Sequence, residues 1–190
     1  MTDMAEERRL QRSAGIAGRD GLGAEERNKR SAAIVSRIVE SDWWRDSRTV
    51  LSYRAVKGEV SLEGLREAAE EQGKKLLYPL CLGPGEMIAL LPGEDAWKKG
   101  AFGIWEPVRE LSEEIAPENI DLLLCPCSAF DEEGRRMGMG GGYYDRYLPR
   151  CRGHIAAVAF EAQKCVRIAA EDWDAAMERV YTEAGIYPSR

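Results

Sequence analysis

The feature that most restricts the possible folds is a pair of uninterrupted apolar segments in the second half of the chain. Residues 121–125 (DLLLC) and 155–160 (IAAVAF) lack the alternation of a half-exposed strand. Each therefore predicts a strand that is buried on both faces of a parallel sheet. Further strands are predicted at 49–53, 76–78, 87–91 and 179–182, and helices at 1–18, 24–41, 61–73 and 143–148.

This alternation of strands and helices predicts an α/β fold, a three-layer sandwich with a mostly parallel central sheet flanked by helices. Ser61 is the expected N-cap of the third helix, and Pro79 is expected to end the second strand. Residues 92–117 interrupt the alternation and predict a long ordered loop. With 190 residues, the chain is expected to form one domain, 1–190.

Composition restricts the partners. The formal net charge of −6 provides no overall basic surface for nucleic acid. The longest apolar segment, 155–160, is far shorter than the roughly 20 residues of a membrane span, and the first residues lack the apolar core of a secretory signal. We therefore expect a cytoplasmic protein, a monomer with reduced cysteines. Cys125 and Cys127 form C-x-C without the second pair that a zinc site needs.

A glycine-rich segment at residues 136–146, RMGMGGGYYDR, is the strongest local signal for a ligand site. Glycines permit close approach of the backbone to a ligand, and consecutive N–H groups in such a loop can bind an anion. The segment matches neither common nucleotide-binding fingerprint. A flexible surface turn is the alternative, but the paired tyrosines are unusual in a linker. The residues themselves favour a phosphate-binding loop.

The same segment resembles the R-L-G-x-G-x-G-Y-Y-D-R signature of the 5-formyltetrahydrofolate cyclo-ligase family, also called methenyltetrahydrofolate synthetases. Other segments resemble that family in the same order along the chain, from about residue 8 to residue 185. They are 102–107 (FGIWEP), 126–131 (PCSAFD), 160–163 (FEAQ), 173–174 (WD) and 180–183 (VYTE). Collinear matches of this kind are far more specific than a single motif.

The resemblance implies an enzyme that uses ATP and Mg²⁺ to close 5-formyltetrahydrofolate to 5,10-methenyltetrahydrofolate, with release of ADP and phosphate. The formyl oxygen would attack the γ-phosphate, N10 would attack the activated carbon, and phosphate would leave as the ring closes. Such a transfer depends mainly on positioning and charge neutralisation. The sequence fits this demand because it offers glycines, arginines and carboxylates with a single histidine, His154, which is expected to be structural or exposed.

The resemblance also implies roles for individual residues. Arg136 and Tyr144 would be catalytic, and the magnesium ligands would be Asp145 and Glu178. The ATP-binding residues would be Arg8, Arg12, Arg136, Met137, Gly138, Met139, Gly140, Gly141, Gly142, Tyr143 and Tyr144. The folate-binding residues would be Arg54, Glu59, Trp105, Gly140 and Tyr143. A carboxylate such as Glu59 suits the N–H groups of a pterin edge because it only accepts hydrogen bonds.

Two other functions stay open at this point. A nucleotide- or phosphosugar-handling enzyme of the same fold, such as a sugar-phosphate isomerase, is one, since a fold does not fix the chemistry. The other is a nucleotide-binding module without turnover, which would be favoured by departures from the family pattern. Those departures are Gln11, Leu80 and Trp173; Cys127 also departs from the family pattern, where glycine is usual.

Overall fold

A computed structural model describes residues 3–100, 103–171, 174 and 176–188. Its helices are α1 (Met4–Asp20), α2 (Ala24–Val39), α3 (Asp42–Asp46), α4 (Gly64–Glu71) and α5 (Tyr143–Tyr147). Its strands are β1 (Thr49–Leu51), β2 (Lys75–Gly83), β3 (Glu86–Pro92), β4 (Trp97–Lys99), β5 (Trp105–Pro107), β6 (Ser112–Ile115), β7 (Leu122–Pro126), β8 (Ala129–Phe130), β9 (Arg136–Met137), β10 (His154–Val158), β11 (Arg179–Tyr181) and β12 (Ile186–Tyr187). No helix in these residues is long and apolar enough to cross a membrane.

Eight strands form the main sheet, in the order β12-β11-β10-β7-β1-β2-β3-β6. The five strands from β11 to β2 are parallel, while β12, β3 and β6 add antiparallel edges. The two apolar segments became β7 and β10, which are neighbours in the middle of the sheet. The predicted α/β fold with a mostly parallel central sheet is therefore confirmed.

The buried side chains form two large clusters, one on each face of the sheet. Val50 and Leu122 point to the face covered by α2 and α4, where Ile34 and Ile38 are fully buried. The other cluster contains Leu51, Leu123, Cys125 and Tyr147, the last residue of the short helix α5. Adjacent residues of one strand thus enter opposite clusters, which explains why these strands are apolar throughout.

The interval 92–117 is not the loop that we predicted. It contains β4 and β5, which pair with each other, and β6, which pairs antiparallel with β3. The sequence of β6, Ser-Glu-Glu-Ile, has little intrinsic strand preference. Backbone pairing at the sheet edge determines its conformation, and a local pattern does not report that pairing.

Two local predictions need correction. Pro79 does not end β2 but lies within it. The Leu77 carbonyl accepts a hydrogen bond from the Ser52 N–H at 2.9 Å, so the backbone polar groups of Leu77 face β1. Pro79, two residues later, faces the same side but lies beyond the end of β1, where no neighbouring strand needs an N–H. Ser61 does not cap α4, which begins at Gly64; its own N–H donates to the Ser31 hydroxyl at 3.1 Å.

Candidate active site

A cavity of about 550 Å³ opens at the carboxyl ends of the parallel strands. The segment after β1 contributes Tyr53, Arg54 and Glu59 to the wall of the cavity. Tyr78 of β2 and Cys127, which directly follows β7, also line it. Ligands of open α/β sheets bind in crevices at this end of the strands. The cavity is therefore the candidate active site.

The glycine-rich segment forms one side of the cavity. Gly140 and Gly142 have positive φ angles of 95° and 67°, which strongly favour glycine. A Cβ atom on Gly141 would lie 2.7 Å from the ring of Tyr143, so the tyrosine packs directly on the loop. Arg12 reaches the loop from α1, and its Nε donates to the Gly138 carbonyl at 2.9 Å. Helix α1 and the loop thus present a cation beside a closely approachable backbone.

An ion pair between Arg136 and Asp145 lies at the base of the loop. Arg136 Nη2 donates to Asp145 Oδ1 at 2.7 Å, and the arginine side chain is only 2% exposed. Asp145 remains 31% exposed and lines the cavity. The Tyr144 ring centroid lies 6.0 Å from the Arg136 guanidinium. Arg136 therefore orients a carboxylate that is still accessible to a ligand.

A second acidic side chain, Asp174, lines the same cavity. It forms an ion pair with Arg8, whose Nη1 also donates to the Ala169 carbonyl at 2.8 Å. The backbone N–H of Glu171 donates to Asp174 Oδ2 at 2.9 Å. Burial alone would raise the pKa of Asp174, but the hydrogen bonds from Arg8 and the Glu171 N–H outweigh it and lower the pKa. Asp174 is therefore a carboxylate at neutral pH.

The structure does not bring Glu178 together with Asp145, with which we expected it to share a metal. Glu178 precedes β11 at the amino ends of the parallel strands, opposite the cavity. Its Oε1 accepts from the Ile155 N–H at 3.1 Å, and its Oε2 lies 3.3 Å from His154 Nδ1. Asp174, which the sequence reasoning missed as a site residue, is the acidic group on the correct side. The 173–174 segment was the available signal.

Glu59 and Arg54 also form part of the cavity wall. The Glu59 side chain is 8% exposed, and its Oε2 accepts from the Val56 N–H at 3.1 Å. Burial raises the pKa of Glu59, against the opposing effects of that N–H and of Arg19. Arg54 stacks over Trp97, 4.4 Å from the ring centroid, and donates to Glu63 at 2.7 Å.

Most of the predicted site residues are brought together. Those that line the cavity are Arg8, Arg12, Arg54, Glu59, Trp105, Arg136, Gly138, Met139, Gly140, Gly141, Gly142, Tyr143, Tyr144 and Asp145. Trp105 is 47% exposed. Met137 is the exception besides Glu178, because its side chain is 1% exposed and packs with Ala129 and Ile168. Phe102 and Trp173, from the segments that resemble the family, lie outside the described residues.

Comparison with known proteins agrees with this geometry. A model of the 5-formyltetrahydrofolate cyclo-ligase family matches residues 4–183. A 5-formyltetrahydrofolate cyclo-ligase from Mus musculus is 30% identical over 183 residues, which cover 85% of this chain and 86% of the mouse protein. One from Haemophilus influenzae is 27% identical, over 82% and 87% of the two chains. The NMR structure of a 5,10-methenyltetrahydrofolate synthetase from Aquifex aeolicus is 32% identical, with a TM-score of 0.84 over 95% and 91%.

Proposed function

Because the chain belongs to the 5-formyltetrahydrofolate cyclo-ligase family, whose reaction is the ATP-dependent cyclisation of 5-formyltetrahydrofolate, we propose that the cavity described above performs this reaction. The products are 5,10-methenyltetrahydrofolate, ADP and phosphate. One observation carries the proposal: a single cavity is lined both by the glycine loop with its arginines and by Glu59 and Arg54. Two small molecules can thus meet there.

We assign the ATP phosphates to the glycine-loop side. Arg12 and Arg8 lie on one face of α1, and both are held by carbonyl groups, of Gly138 and Ala169. Arg136 is buried behind the loop. Fixed cations of this kind stabilise the charge that develops during phosphoryl transfer without having to reorganise. No protein nucleophile is required.

Asp145 and Asp174 fit the ligand chemistry of Mg²⁺, which prefers carboxylate oxygens and completes its shell with phosphates and water. Among the described residues, no group of three or more His, Cys, Asp or Glu side chains forms a complete metal cage. The two aspartates would therefore hold the ion together with the nucleotide. Its charge would neutralise the phosphates during transfer.

We assign the folate to the wall formed by Glu59, Arg54 and Trp105. A glutamate carboxylate can accept two hydrogen bonds from the N–H groups of a pterin edge. The partly exposed Trp105 offers a ring face at the cavity wall. This arrangement would direct the formyl group and N10 towards the glycine loop, where Tyr143 and Tyr144 line the cavity.

Formation of the methenyl product tests the proposal. The protein is incubated with 5-formyltetrahydrofolate, ATP and Mg²⁺, and the near-ultraviolet absorbance of the product is followed. We expect the absorbance to increase only when both ATP and Mg²⁺ are present, and the increase to stop when EDTA is added. Binding of ATP without product would favour a non-catalytic nucleotide-binding module. If the protein neither binds ATP nor forms the product, the assignment of the cavity is contradicted.

The remaining predictions concern the setting of the enzyme. A monomeric state is checked by analytical ultracentrifugation, and a cytoplasmic location by cell fractionation. A role in binding nucleic acid is not expected, given the formal net charge of −6.

A further inference from the structure

Arg19, in the last turn of α1, is a charged side chain buried behind the folate wall. It is only 2% exposed and ranks among the largest fully buried side chains of the protein. Its Nε makes a long hydrogen bond of 3.4 Å to Asp20 Oδ1, and the Asp20 side chain is 54% exposed. Its Nη1 lies 4.0 Å from Glu59 Oε1. Arg19 is absent from the cavity wall, whereas Glu59 belongs to it.

The hydrogen bonding of this guanidinium is incomplete. Within the described part of the chain, Nη1 is buried without a hydrogen-bond partner. Removing a cation from water is costly unless a nearby anion and hydrogen bonds compensate for it. Asp20 is in solvent, where its attraction is screened. The carboxylate of Glu59, at 8% exposure, is the neighbour whose charge acts through a poorly screened medium.

We propose that Arg19 is a positioning residue for the reaction, which keeps Glu59 ionised and directs its Oε1 while the Val56 N–H holds Oε2. This inference rests on the function proposed above. Glu59 must accept hydrogen bonds from the folate, and a protonated glutamic acid would offer a donor in place of one acceptor. Arg19 thus acts on the substrate through Glu59, without touching it.

The other groups around Glu59 explain why such a cation is needed. The phenols of Tyr53 and Tyr144 and the thiol of Cys127 face it, and all three carry no positive charge. Burial raises the pKa of Cys127 as well, so that thiol stays neutral. Arg19 is the positive group that counteracts the effect of burial on Glu59. Without it, only the Val56 N–H would oppose the effect of burial, and the pKa of Glu59 would rise further.

Direct titration of Glu59 tests the proposal without requiring activity. The ¹³C signal of its carboxyl group is followed against pH in the full-length protein and assigned with Glu59→Gln. Arg19→Met, and Arg19→Gln, which retains an N–H donor in case the first variant does not fold, should move the Glu59 titration to higher pH. Arg19→Lys keeps the charge and should restore most of the original curve. An unchanged titration in the neutral variants would overturn the proposal.

Kinetics test the consequence for the substrate. For Arg19→Met, or for Arg19→Gln if that variant alone folds, we expect a KM for 5-formyltetrahydrofolate about tenfold above the parent at pH 6 and within about twofold at pH 8.5. The KM for ATP should stay within about twofold. Asp20→Asn removes the exposed partner of Arg19 and should change neither of the two KM values. An increase in KM that is equal at both pH values, or that affects both substrates, would show that Arg19 has a purely structural role. Because the titration does not depend on turnover, its result separates a failure of this inference from a failure of the proposed reaction.

Discussion

The two ends of the parallel strands carry similar side chains in different arrangements. At the amino ends, Arg179 donates to both carboxylate oxygens of Asp42, at 2.5 and 3.0 Å, and its guanidinium lies 3.9 Å from the centroid of Trp43. His154 stacks on Trp43 with ring centroids 4.2 Å apart, and it also contacts Glu178. The charged side chains there form ion pairs with one another and pack against the faces of aromatic rings.

At the carboxyl ends, some polar side chains lack hydrogen-bond partners among the described residues. Arg54 Nε and Arg136 Nε are buried without a hydrogen-bond partner among the described residues, and both arginines line the cavity. Gly140 and Gly142 have backbone conformations that strongly favour glycine. Buried unsatisfied groups are rare in native proteins and require an explanation. A bound ligand that supplies the missing acceptors is the explanation that the proposed function offers.

The comparison shows that residue type alone does not identify a functional group. Glu178 and Asp145 are both acidic, and each has a basic neighbour. Only Asp145 is held by a buried arginine beside a cavity. Whether a charge is already satisfied, and what space lies next to it, distinguishes the site from the surface.

The largest expected effect comes from removing the charge of Asp145. Asp145→Asn keeps an acceptor for Arg136 but removes the carboxylate that we propose as a magnesium ligand, so we expect kcat to fall about a hundredfold or more while the fold is kept. Glu178→Gln, the matched change at the other end, should leave kcat within about twofold. The measurement is kcat at increasing Mg²⁺. Parent-like activity of Asp145→Asn at limiting Mg²⁺ would contradict the assignment.

Arg12 should rank next. Arg12→Ala removes the cation that α1 holds against the glycine loop, and we expect a loss of about 1.5–3 kcal/mol in kcat/KM for ATP. Arg9 is the control on the same helix, because its side chain is 62% exposed and pairs with Glu6 at 2.7 Å. Arg9→Ala should cost under about 0.5 kcal/mol. Equal losses at the two positions would show that α1 contributes only general charge.

Glu59→Gln should affect the two substrates unequally. The amide keeps the shape but presents a donor to one of the pterin donors, and we expect KM for 5-formyltetrahydrofolate to rise about tenfold. Because we assign the ATP phosphates to the glycine-loop side, KM for ATP should change less than twofold. Steady-state kinetics with each substrate varied separately measure this. A rise confined to ATP would move Glu59 out of the folate site.

The centre of the fold was predictable because its signal is local. Strands β7 and β10 are apolar throughout, and that pattern arises when both faces of a strand are covered. Strand β6 was not predictable, since its residues pair at an edge through backbone groups that any sequence carries. The position of Pro79 depends on where the neighbouring β1 ends, which is also a tertiary fact.

The residues that line the cavity were predictable where a motif is continuous, and not where the chain passes from one end of the sheet to the other. The glycine loop and Asp145 lie in one segment. Asp174 and Glu178 are four residues apart, and an extended chain of that length reaches about 13 Å. Counting along the sequence could not place them on opposite ends of the sheet. The departure at Gln11 is also explained by tertiary contacts: its amide donates to the Arg167 carbonyl and accepts from the Ala169 N–H, both at 2.9 Å.

The smallest expected effect lies at the amino ends, where Asp42→Asn should change stability and leave activity unaltered. The hydrogen bond from Arg179 lowers the pKa of Asp42 to about 2. A carboxyl whose pKa is lower in the folded state stabilises that state above its unfolded pKa, about 3.9, and loses the contribution as pH falls towards 2. Because the Asp42 side chain is 55% exposed, we expect a decrease in the free energy of unfolding of under about 1 kcal/mol at pH 7.

Urea unfolding of parent and variant between pH 7 and pH 3 measures this difference, which should narrow below about pH 4 as Asp42 begins to be protonated in the unfolded parent. Asp46→Asn, on the same helix α3, is the matched control for a change of net charge. A difference that stayed constant down to pH 3 would mean that the substitution acts through packing. A loss of turnover in Asp42→Asn would break the comparison itself, because it would couple the satisfied end of the sheet to the catalytic one.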